Sequence, residues 1–139
     1  MEPGGVTRAL PIDAALLDGV LRRLRRDAAG PLTRWTLGAH GSMELDIDFL
    51  PVLGAGRIGP TWTSAVRLWP HDQVAVAQMT VEIGARDADT CEIALRPARA
   101  LDPWWGAHER ALRELAQAAL DELAEELLWH ASRGGVVPA

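Results

Sequence analysis

Two hydrophobic periods divide the chain. Val6 to Ile12 reads as a short first strand. Leu17, Val20, Leu21, Leu24 and Ala28 then recur at helical spacing, with Asp13 placed to cap the helix and Gly30-Pro31 to end it. From Thr33 the period becomes two. Trp35 and Leu37 alternate with Arg34 and Thr36, and Met43, Leu45, Ile47 and Phe49 alternate with Glu44, Asp46 and Asp48. Further on, Trp62, Ser64, Val66 and Leu68 share a face. So do Ala75, Ala77, Met79, Val81 and Ile83, and then Cys91, Ile93 and Leu95. Clean alternation leaves one face buried and one wet, the pattern of an antiparallel meander.

The helical period returns at the C-terminal end. Asp102 caps, Pro103 takes the first helical position and Gly134 follows the last. The roughly 31 residues between them predict about 46 Å of helix. Trp105, His108, Leu112, Leu115, Ala116, Ala119, Leu123 and Leu127 form its apolar stripe. A strict heptad continued from Leu112, Leu115 and Ala119 reaches Glu122 and Glu126, which argues against a coiled coil. A compact chain of this length has a radius of gyration near ~14 Å, so the helix must cross the whole domain. Its natural partner is the apolar face of the sheet.

One motif competes with this reading. Gly54, Gly56 and Gly59 spell G-x-G-x-x-G, and Glu82 stands near where a ribose-binding acid is expected in a dinucleotide fold. Pro51 interrupts the strand that should precede such a loop, and Thr61-Trp62-Thr63 is a poor opening for a phosphate-binding helix. About six residues separate Ile83 from Thr90, too few for a parallel crossover. The balance favours a glycine-rich loop between antiparallel strands.

The 139 residues predict one domain, 1–139, with ordinary soluble composition. The net charge of −5 argues against nucleic acid, and the only basic cluster is Arg22, Arg23, Arg25 and Arg26. That cluster reads first as a solvated helix face. It also suits an acidic partner or anionic lipid headgroups. The acidic residues of the long helix admit a homodimer. The chain has no lysine, which excludes Schiff-base and P-loop chemistry; the absence of Lys, Tyr and Asn suggests a GC-rich, bacterial genome. No stretch is apolar enough for stable membrane insertion, no secretory signal is visible, and the lone Cys91 suits a reducing cytoplasm.

Catalytic signals are weak. Glu44, Asp46 and Asp48 line one strand face and read as a solvated surface paired with Arg34 or Arg67 rather than a cation site, so no metal is expected. His108-Glu109 lacks the second histidine of a zincin motif, and His108 and His130 stand too far apart to share a ligand. His40 and His71 fall in turns without a motif. Cys91 reads as packing, and Ser64 is an inward hydroxyl without an identifiable His–Asp partnership. No catalytic residue and no cofactor is assigned.

Strand, helix, antiparallel meander, long C-terminal helix: this order resembles the helix-grip fold of the START-like (SRPBCC) superfamily, which includes polyketide cyclase-like and lipid-transfer proteins. The resemblance rests on element order and amphipathicity along nearly the whole chain. It implies an α+β domain, a curved antiparallel sheet wrapped around the long C-terminal helix, with a cavity between them. The residues expected to line that cavity are Trp35, Trp62, Ser64, Met79, Leu112, Ala116, Ala119 and Leu123. The function implied is binding of a hydrophobic small molecule, lipid or polyketide-like. The alternatives are a cyclase or aromatase using the same cavity, and a protein-interaction module with a closed core.

Overall fold

Alternating residues build an antiparallel sheet, as the sequence predicts. A computed structural model describes residues 5–26, 34–38, 40–52, 61–71, 76–98 and 109–133. The strands are β1 (Val6–Leu10), β2 (Arg34–Thr36), β3 (Gly41–Leu45), β4 (Leu50–Val52), β5 (Thr61–Pro70), β6 (Ala77–Ala85) and β7 (Cys91–Pro97). The helices are α1 (Ala14–Arg26) and α2 (Glu109–Arg133). Every strand pairing among the described residues is antiparallel, in the order β1-β7-β6-β5-β3-β2, with β4 also paired to β5. The sheet curls around α2, giving an α+β helix-grip architecture.

Local chemistry explains the element ends. The Asp13 carboxylate accepts the Leu16 N–H at 2.8 Å, capping α1 as predicted. Between β6 and β7 the Asp87 carboxylate accepts the N–H groups of Asp89 and Thr90, both at 2.9 Å, which closes a tight hairpin. That hairpin excludes a parallel crossover. Residues 61–70 form a strand antiparallel to β4, not a helix, so the dinucleotide reading fails on topology. The glycines Gly54, Gly56 and Gly59 themselves lie outside the described residues, as do Ala28, Gly30, Pro31, Ala75, Asp102, Pro103, Trp104, Trp105, His108 and Gly134.

The core lies between the sheet and α2. Val66, Leu68, Val81, Ile83, Cys91 and Ile93 are fully buried beneath Leu112, Ala116, Ala119, Leu120, Ala124 and Leu127. The helix packs on β1, β5 and β7 and against α1. Contact on several sides makes its buried stripe wider than the sequence pattern suggests, taking in Leu120, Ala124 and Ala131.

Two predicted patterns are corrected. The single strand expected through Phe49 stops at Leu45 and resumes at Leu50. Leu45 pairs with Val66 and Leu50 with Thr63, so five steps on this strand advance against three on β5. The two surplus residues form a bulge. Ala94, expected to face water, is 5% exposed. Thr7 on β1 and Glu82 on β6 stand directly beside it in register, and both carry longer side chains than Ala94.

Candidate functional site

Where the strand bulges, α1 and the sheet part. The bulge is held by Asp46. Its N–H donates to the Ala65 carbonyl at 3.0 Å, its carbonyl accepts the Ser64 hydroxyl, and its carboxylate accepts the Asp48 N–H at 3.0 Å. Even in number, the surplus residues leave the inward parity of the strand unchanged. Pro51 therefore stands opposite Trp62, on the face turned toward the helices. A proline fits here because β4 is paired only to β5 among the described residues.

A pocket of about 780 Å³ opens at this place, between α1 and the β4–β5 pair. Ligand pockets commonly occupy ~300–1,000 Å³. Its apolar wall is Phe49, Trp62 and Leu21, 1%, 6% and 4% exposed, with Pro51 and Ala14 beside them. Its polar side is Asp18, Arg22 and Arg25, one face of α1 at helical spacing. Arg22 Nε meets the Asp18 carboxylate at 2.9 Å, and Arg25 Nε meets Asp48 at 3.1 Å. Arg25 also donates through Nη2 to the Phe49 carbonyl, tying the helix to the bulge.

Of the residues predicted to line a cavity, Trp62 lines this pocket. Trp35, Ser64, Met79, Leu112, Ala116, Ala119 and Leu123 belong to the buried layer of sheet and α2, none more than 9% exposed. Ser64 carries its hydroxyl to the bulge carbonyl of Asp46. Sequence reasoning treated the arginine cluster as a solvated face and missed the pocket. The i, i+3 and i+7 spacing of Asp18, Leu21 and Arg25 carried the signal for the helix side. Nothing in the strand pattern announced the bulge that supplies the other wall.

The remaining chemistry-bearing residues have structural partners. Glu44 sits between Arg34, at 2.8 Å, and Arg67. Hydrogen bonds from Arg34 and then Arg67 hold its carboxyl below the usual range. Burial pushes the Cys91 thiol up, the opposite of a reactive cysteine. His130 faces Glu126 at 3.9 Å, and its carbonyl accepts from Arg23 at 3.1 Å. No cluster among the described residues has the makings of a metal site, and no described helix is long and apolar enough to cross a membrane.

No protein-family model matches the sequence, and no curated protein sequence matches it. Solved structures similar to the chain include the following two. One is the Zhui aromatase/cyclase from Streptomyces sp. R1128, 18% identical over 96% of this chain and 97% of that one, with a TM-score of 0.39. The other is human STARD10, 15% identical over 93% of this chain and 66% of that one, with a TM-score of 0.40. The chain's own architecture, a curled antiparallel sheet wrapped on a long C-terminal helix, is the α+β helix-grip arrangement that its element order predicts.

Proposed function

We propose that this protein binds a hydrophobic small molecule between its sheet and its helices. The observation that carries the reading is the pocket at Trp62, with its wall of Phe49, Leu21 and Pro51. An apolar ligand laid there covers the exposed Pro51 and Ala15 and the half-buried Ala14 that border this wall. In its fuller form the ligand reaches inward from Trp62, past Ser64 and Met79, toward the small side chains Ala116 and Ala119 of α2. Trp35, Leu112 and Leu123 then surround it. The small side chains there support this extension. The neutral probe N-phenyl-1-naphthylamine should bind saturably, and Trp62→Ala should weaken it. Native mass spectrometry of protein purified from its own host should show added mass that is lost on denaturation. Absence of both overturns the reading.

A second reading, an interaction module with a closed core, draws on a different observation. Leu112, Ala116, Ala119 and Leu123 are at most 1% exposed, as in a layer with no room for a guest. A cyclase needs an acid–base pair at its cavity. The buried polar groups described are the hydroxyls of Thr61 and Ser64, and Ser64 is already committed to Asp46.

A further inference from the structure

The polar side of the pocket carries more information than its apolar wall. Beside Arg22 and Arg25, Asp18 is the one acid among the described lining residues. A guanidinium has five N–H donors, and the acids beside these two use few of them. Asp18 meets Arg22 at Nε, and the terminal nitrogens of Arg22 make no hydrogen bond to a described residue. Arg25 gives Nε to Asp48 and Nη2 to the Phe49 carbonyl, which leaves Nη1. The paired acids thus act as props. They hold two planar cations beside an apolar wall and leave part of their donor capacity unused. An oxyanion takes such donors in charge-assisted hydrogen bonds, whereas a neutral ligand leaves them to water.

We infer that the pocket between α1 and β4 takes an amphiphile with one anionic head group, a carboxylate or a phosphate. The head meets Arg22 and Arg25, and the chain lies on Trp62 and Phe49. This inference rests on the apolar-ligand reading above and adds the chemistry of the head. The reverse orientation is disfavoured, since the wall of Phe49, Trp62 and Leu21 is apolar apart from the Trp62 indole N–H.

The test is calorimetric titration of the full chain with dodecanoate, dodecyl phosphate and dodecan-1-ol, each below its aggregation limit. The parent should bind both anions about tenfold or more tighter than the alcohol. Arg22→Gln should remove most of that preference while alcohol binding holds. Arg22 is 76% exposed, so the folded state tolerates the change. Arg26→Gln makes the same change of charge on the same helix, outside the pocket lining, and should leave the preference intact. The ratio of the two anions tells a carboxylate site from a phosphate site. Equal binding of alcohol and anions overturns the head-group inference and leaves the apolar-ligand reading standing. So does an equal loss in Arg22→Gln and Arg26→Gln, which would mean diffuse charge rather than contact. Binding of none of the three removes both readings.

Discussion

At the scale of single residues, two glycines three positions apart play different parts. Gly38 and Gly41 shape the turn that brings β2 back along β3. Within it Leu37 N–H donates to the Gly41 carbonyl at 2.7 Å, and His40 N–H donates to the Leu37 carbonyl at 3.2 Å. Gly38 has φ +63°, and a Cβ there would meet open space. Gly41 has φ +153°, and its Cβ would stand 2.1 Å from the Trp69 carbonyl oxygen. The first position asks only for left-handed backbone; the second has no room for a methyl group. Gly38→Ala should therefore cost about 1 kcal/mol, the usual left-handed penalty. Gly41→Ala should cost roughly 3 kcal/mol or more, because strain and a clash with backbone add. Urea unfolding of the two variants beside the parent measures the gap. Equal losses would show that the β3–β5 pairing yields easily at that point.

At the scale of elements, cross-strand pairing ties the edge of the sheet together electrostatically. Arg34 on β2, Glu44 on β3 and Arg67 on β5 stand directly opposite one another in register. The two guanidiniums lower the Glu44 pKa below its ordinary 4.5 in the folded state. A depressed carboxylate contributes stability that is complete above its unfolded pKa and is lost as pH falls through the folded value. Glu44→Gln should therefore lower the urea midpoint at neutral pH, and the deficit should shrink once the medium is acidic enough to protonate Glu44 in the folded protein. A deficit that persists unchanged into strong acid would assign the effect to packing. The same strands mark what the sequence made legible. Periodicity identified β3, β6, β7 and α2, because burial on one face is written directly into residue spacing; β5 needed Pro51 and the short connection after Ile83 as well. The pairing of Glu44 with Arg34 and Arg67 was legible too, since charge and face were both visible. The bulge at Asp46 was not. Met43, Leu45, Ile47 and Phe49 keep an unbroken alternation, and the two surplus residues preserve that parity while moving the register against β5. A pocket wall that depends on such a shift leaves no trace in hydropathy.

At the scale of the whole molecule, the open question is whether the sheet grips α2 on solid packing or around removable space. The small side chains at Ala116 and Ala119 permit either: close approach of helix and sheet, or room for the apolar end of a ligand entering beside Trp62. Both residues are fully buried, and Leu112, Leu115 and Leu123 flank them. Ala119→Phe discriminates because the added ring must go somewhere. In a closed layer it overpacks, which should cost roughly 1–3 kcal/mol. Where ligand space adjoins, the ring fills it, stability holds or rises, and binding of N-phenyl-1-naphthylamine falls. Gln117→Phe places the same ring on the exposed side of the helix and controls for propensity and added surface. The apolar-ligand reading in its fuller form expects the second pattern: unchanged or raised melting temperature at position 119, with weakened probe binding. A clear loss of stability at 119 with none at 117 would confine the ligand to the outer pocket between α1 and β4. Loss of stability together with absence of probe binding in the parent would move the closed-core interaction module ahead, with function then residing on the faces of the two helices.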